Sequence, residues 1–268
     1  VGIGGGAGTF ALPASYFSAN FLDGFSGITI GRATHAGKIT VGTTSVADTL
    51  TLVNTTGGIE MTGVLNAGAG TVILNSGGSI SQSGSGALTA GQLALKNASG
   101  ATLTAGANSI GTLAADIAGG LNLETTGSLI VGVVNPTGIS AGGPIRLASA
   151  GALTINESIS TTDRSSSAVV LVAGSAQSAG TSGGGDITIG SGVTVTVGSG
   201  GRATLYSGSV AGSTGLSALI GSGSGRFRYN STESQSNFSR ALGAGLNAVF
   251  REQRGTRVVS SGAFRYVR

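Results

Sequence analysis

One phrase recurs along this chain: a short alternation of aliphatic and small polar residues, a polar pair, then glycine. It reads TLTLVNTTG at 49–57, TVILNSGG at 71–78, QLALKNASG at 92–100, GLNLETTG at 120–127, PIRLASAG at 144–151, VVLVAG at 169–174 and ATLYSG at 203–208. Its first apolar positions, Leu50, Val72, Leu93, Leu121, Ile145 and Val169, stand 22, 21, 28, 24 and 24 residues apart. A second strand pattern often follows at once, as in GIEMTG at 58–63 and ALTIN at 152–156. An imperfect period of this length is the signature of a solenoid. Strands of three to five residues have too little apolar surface to stand alone, and their separations are too variable for uniform hairpins.

If each period makes one turn of a coil, equivalent strands stack in parallel about 4.8 Å apart. Leu50, Leu52, Val72, Leu74, Leu93 and Leu95 then form interior columns, and the Thr, Asn and Arg side chains between them face water. Glycine pairs mark the corners, where successive coils approach closely. Asn54, Asn75 and Asn97 follow their strands and are expected to stack as a corner ladder. The expectation is an all-β chain: a parallel β-helix of eight to ten coils, right-handed by the general preference of parallel crossovers. A β-sandwich or barrel is the competing arrangement. Leucine-rich repeats lack support because their fixed L-x-x-L-x-L-x-x-N frame is missing. The core must be aliphatic, since 40% of residues are hydrophobic but only 4% are aromatic.

Two stretches depart from the period. ATLTAGANSIGTLAADIAGG lengthens the step from 93 to 121, and its Ile110, Leu113 and Ile117 suggest an extra strand or a brief helical corner. AGSAQSAGTSGGGD, 173–186, has almost no apolar anchors and reads as a protruding loop.

The chain divides into three. Residues 1–26 form a lead-in without a basic leader or an unbroken apolar span, so neither a signal peptide nor a membrane span fits. The absence of an initiator Met suggests a piece of something longer. Residues 27–225 are the expected shaft; up to 225 the chain holds six basic and eight acidic side chains, whereas 226–268 holds eight Arg against Glu233 and Glu252. In that C-terminal segment Phe238, Leu242, Leu246, Val249 and Phe250 fall at helical spacing, with Ser236 as N-cap and Arg251 and Arg254 at the far end. Gly243 and Gly245 weaken such a helix, and a short hairpin carrying the same aromatics is the alternative. TRVVSSGAFRYVR, 256–268, reads as one final strand. The segment as a whole is expected to cap the last coil.

The phrases GITIGR, GKITVG, LTLVNTTGGIEMTG and TVILNSGGSI, with LTAGANSIGTLAA and the terminal FRYN…LNAVFRE, resemble the repeat regions of filamentous-haemagglutinin-like exoproteins. The resemblance covers roughly residues 27–254. It implies a right-handed β-helical shaft on the cell surface of a Gram-negative bacterium, or secreted from it. It also implies export through a partner outer-membrane transporter and a role in adhesion, surface contact or biofilm.

No catalytic, cofactor or metal site is expected. The acidic residues of the body, Asp23, Asp48, Glu60, Asp116, Glu124, Glu157, Asp163 and Asp186, are scattered singly, whereas polysaccharide cleavage needs paired carboxylates. His35 is the one histidine and there is no Cys, so a multi-ligand metal site lacks its donors. GGGDITIGS, 183–191, has one Asp and no tandem copy, which fits a turn Asp better than calcium ligation. Partner binding is placed instead on the C-terminal arginines and aromatics: Arg226, Phe227, Arg228, Tyr229, Arg240, Arg251, Arg254, Arg257, Arg265, Tyr266 and Arg268. If they converge on one exposed face, it would dock an acidic protein, an anionic glycan or a lipid surface in a larger assembly. Nucleic acid is not expected, because no recognised binding module is present.

Overall fold

The structure is a computed structural model that describes residues 1–254 apart from Leu22 and Gly106, together with the backbone of Arg257–Ser260 and Ala263–Tyr266. Its strands stack in parallel as a β-solenoid of about 10 turns. A 12-stranded sheet runs from Ala11–Leu12 and Gly2–Ile3 at one end to Gly245–Phe250 and Phe227–Arg228 at the other. A 13-stranded sheet runs beside it from Ile28–Gly31 to Ile187–Ile189. This second sheet forms two flanks. Its long strand Ala87–Lys96 pairs with Val64–Asn66 through its first half and with Thr71–Ser76 through its second.

Interior columns follow from the alternation. Leu52, Leu74 and Leu95 align in register, as do Leu123, Leu147, Leu171 and Leu205 on the first sheet, and all seven are fully buried. Burying such a side chain contributes roughly 1.5–3 kcal/mol, so the stack supplies what no single coil has. Corners depend on glycine where coils touch backbone to backbone. A Cβ at Gly77 would lie 1.8 Å from the Thr55 carbonyl oxygen, and one at Gly119 1.7 Å from that of Ser99.

The repeat alignment needs one correction. Leu50, Val72 and Leu93 lie on the second sheet, but Leu121, Ile145 and Val169 lie on the first. The coil partner of Leu93 is Leu113, and that of Leu121 is Ala101. The long step from 93 to 121 is therefore a change of face rather than a lengthened coil, and Ser109–Ile117 is an ordinary strand. Both faces use the same alternation followed by a glycine corner, so the pattern alone does not say which face a phrase occupies.

The asparagine ladder is also redrawn. Asn97 Nδ2 donates to Asn75 Oδ1 at 2.7 Å, but Asn54 pairs in register with Ser76, whose hydroxyl donates to its Oδ1 at 2.5 Å. A one-residue offset places Asn54 and Ser76 inside the corner and the other two outside it.

The ends depart from simple winding. Arg202–Ser207 is followed by the short helix Leu216–Ile220, whose buried Leu216 and Ile220 close the second sheet beside Ile187–Ile189. The chain then runs to the outermost strand, Phe227–Arg228, before Gly245–Phe250 inserts between it and Arg202–Ser207. The helix expected over this segment is absent: 236–244 is irregular and Gly245–Phe250 is a strand. Gly245 takes φ +80°, which breaks helical winding, and the sheet edge of Arg202–Ser207 supplies hydrogen bonds to a strand. The alternative hairpin is absent too, since the two segments pair in parallel. Arg257–Ser260 and Ala263–Tyr266 pair with each other, antiparallel, in place of one final strand. Two residues, Ser261 and Gly262, separate these alternating runs, a hairpin signal in the sequence itself.

Candidate binding groove on the first sheet

Arg146 projects outward from Ile145–Ser149, directly between Asn122 and Val170 on the neighbouring strands. Its Nη1 donates to Glu124 Oε1 at 2.6 Å and to Asn122 Oδ1 at 3.3 Å. Its Nε and Nη2 hold both oxygens of Glu233, at 2.8 and 2.9 Å. This bidentate fork is the strongest geometry available to an arginine and a carboxylate. Glu233, then Glu124, raises the guanidinium above its already high ordinary pKa, against the opposing effect of burial.

Glu233 belongs to a strap, residues 229–244, that leaves the outermost strand and lies back across the sheet. Local bonds shape it: Asn230 N donates to Glu252 O at 2.8 Å, and Asn237 N to the buried Ser231 hydroxyl at 2.9 Å. Cavities open on both sides of the Arg146–Glu233 contact. One, of about 220 Å³, is lined by Arg146, Gln177, Tyr206, Thr232, Glu233 and Arg251, among others. The other, of about 530 Å³, follows the sheet over Thr102, Asn122 and Val170. Burial first, then the charge of Glu233, raises the Tyr206 hydroxyl above its usual pKa.

Sequence reasoning left the body carboxylates solitary. The structure joins Glu124 and Glu233 through one arginine. The Glu124–Arg146 pair was within reach of the repeat, because Asn122 and Arg146 sit one coil apart. Glu233 carried no such signal, since its partner lies 87 residues away.

The C-terminal arginines do not converge on one exposed face among the described residues. Arg251 is 2% exposed and donates to the carbonyls of Ala173, Gly183 and Gly185, which pins the 173–186 loop against the last coil. Burial lowers its pKa, and Asp186 opposes that effect. Arg228 is also buried and donates to the carbonyls of Gly225, Phe227, Arg240 and Ala241. Arg226 reaches the Ala244 and Leu246 carbonyls. The physical reason is shared: irregular segments, the 173–186 loop and the strap among them, leave carbonyls unpaired, and guanidinium groups satisfy several at once.

Arg240 and Arg254 stay exposed, the latter 5.7 Å over the Tyr229 ring. Phe227 and Tyr229 stack on the buried Phe250 at 6.2 and 5.6 Å, so the aromatics close the core. The side chains of Arg257, Arg265 and Tyr266, and all of Arg268, lie outside the described residues.

Asp186 immediately precedes Ile187–Ile189, and its Oδ1 accepts from Ser209 N at 2.6 Å. His35 is half-buried at a corner, where its carbonyl accepts from Thr55 N at 2.7 Å. Among the described residues no group of three or more His, Cys, Asp or Glu is placed to hold a metal ion. The chain matches no protein-family model, no curated protein and no solved structure.

Proposed function

We propose that this chain is a non-enzymatic shaft segment of a filamentous-haemagglutinin-like surface protein, holding an adhesive surface away from the outer membrane of a Gram-negative bacterium. The observation that carries the reading is the parallel stack of about 10 turns. Each interior coil is hydrogen-bonded to two neighbours, which makes a stiff spacer from a low-complexity sequence. Outward Thr, Ser and Asn side chains suit a long surface in contact with water. Export through a partner outer-membrane transporter belongs to the same proposal.

Polysaccharide cleavage is the rival use of such a scaffold. Glu124 and Glu233 are both engaged by Arg146, at 2.6 and 2.8 Å, so neither carboxylate stands free to serve a glycosidic bond. A second reading, docking of a subunit through the basic C-terminal segment, draws on the exposed Arg240 and Arg254. Salt-sensitive capture of one defined envelope component, lost on Arg240→Gln with Arg254→Gln, would support it.

The shaft reading is tested by protease treatment of intact cells expressing the protein. Digestion without lysis is the expected result. Digestion only after lysis would overturn the surface placement, and glycan cleavage abolished by Glu124→Gln would overturn the non-enzymatic reading.

A further inference from the structure

We propose that the smaller cavity beside Arg146 is a binding subsite for an acidic sugar unit, a hexuronate ring of a glycan, with Glu233 of the strap occupying its carboxylate position in the free protein. The inference goes beyond the shaft reading above: it gives the shaft itself a binding site, with a ligand class and a place. Three observations carry it.

First, the cavity is small and lined mainly by residues with polar side chains. At about 220 Å³ it falls below the range of roughly 300–1,000 Å³ typical of drug-sized ligands and suits a single ring. Ser175, Gln177, Thr232 and Ser234 offer hydroxyl and amide groups around it, and Tyr206 adds an aromatic wall. Dispersed hydroxyl partners with one aromatic surface match a polyhydroxylated ring better than an extended peptide, which needs a row of backbone partners.

Second, a carboxylate already sits at the cavity's edge. Glu233 accepts from Arg146 Nε and Nη2 at 2.8 and 2.9 Å, in the bidentate geometry that a uronate carboxylate would use. Glu233 is itself part of the strap that divides the two cavities. A ligand that takes its place on Arg146 would therefore open the smaller space toward the groove over Asn122 and Thr102, where further sugar units of the chain would lie.

Third, Arg251 lines the same cavity and is 2% exposed, yet its Nε has no hydrogen-bond partner among the described residues. An unmet cationic donor is costly to keep buried, and an anionic guest nearby relieves part of that cost.

The test uses the whole purified chain and oligogalacturonate as the probe, with its methyl ester as the neutral counterpart, in calorimetric titration at two salt concentrations. Salt-sensitive binding of the acid form, and none of the ester, is expected. Gln177→Ala and Tyr206→Leu should weaken it while the β-type circular dichroism and melting temperature stay unchanged. Glu233→Gln removes the internal competitor and should tighten binding about two- to five-fold, the value of a partly exposed ion pair. The proposal is overturned if neither the native chain nor the folded Glu233→Gln variant binds oligogalacturonate. Indifference to Gln177→Ala and Tyr206→Leu overturns it too, as does stronger binding of a Glu-rich peptide than of the sugar. Surface placement is read separately by protease treatment, so loss of the subsite with surface exposure intact removes this inference and leaves the shaft reading standing.

Discussion

Asn108 shows how much one side chain does in a stack of thin coils. It is fully buried; its Oδ1 accepts from Gln82 Nε2 at 2.6 Å and Leu88 N at 2.9 Å. Its Nδ2 donates to the carbonyls of Leu103 and Glu124, so one amide ties three coils together. Asn108→Leu fills the space but strands these groups, and should cost about 2–4 kcal/mol in denaturant unfolding. A change below half a kilocalorie would show that the amide is dispensable. Glu60 gives a pH prediction. Its hydrogen bond from Lys38, at 2.5 Å, and then that from Ser83 hold its pKa below the usual carboxylate value. A depressed folded pKa means stability present above the unfolded pKa and lost as pH falls through the lower folded one. Lys38→Met should raise the Glu60 pKa toward its ordinary value, read by NMR titration, and shrink that acid-side loss. Neither role was visible in the sequence. Asn108 lies in a stretch that looked like an insertion, and which residues meet across coils depends on register.

At the scale of the strand, the alternation settled inside from outside and the register settled neighbours. Leu74 lies between Leu52 and Leu95 in one column, all fully buried. Leu74→Asp should cost more than the roughly 2–5 kcal/mol of a buried Leu→Ala, because a charge is buried as well as a cavity opened. Hydrogen exchange should report the damage in the adjacent strands Leu50–Asn54 and Ala87–Lys96. Protection lost only within Thr71–Ser76 would show that coils unfold independently. Gly119→Val tests the corners, since a Cβ there meets the Ser99 carbonyl; it should destabilise the fold, whereas Gly127→Ala, with open space around it, should be mild. The expected helix over 236–254 failed at this same scale. Helical spacing of five apolar residues was real in the sequence, but an open sheet edge outcompeted it. Phe250, Val249 and Ala248 are buried as a strand.

For the whole molecule, the contacts that span the most sequence gather at one end of the solenoid: Arg146 and Glu233 lie 87 residues apart, and Ala173 and Arg251 lie 78 apart. Deleting 226–268 would remove Gly245–Phe250 from the edge of Arg202–Ser207, the Arg251 contacts that pin the 173–186 loop, and the Glu233 strap. The truncated chain should expose an unpaired apolar coil and aggregate, read by size-exclusion chromatography with light scattering. A monomer as stable as the full chain would refute the capping role. Arg146→Met separates the strap from the cap. It should leave the strands folded and raise proteolytic sensitivity within 229–244, where Glu233 loses its fork.

The sequence by itself determined an all-β solenoid, the aliphatic columns and the loop at 173–186. Each of these depends on local alternation, on glycine at close approaches, or on the absence of apolar anchors, all properties of neighbours along the chain. Only the tertiary structure decided which face each phrase occupies, since two faces built by one pattern are locally identical. It alone placed Glu233 on Arg146 and turned Arg228 and Arg251 inward onto carbonyls. The Arg146–Glu233 and Arg251 contacts join residues 66 to 87 apart in sequence, and what selects them is the unmet hydrogen bonding of irregular segments that meet only after the coils have stacked.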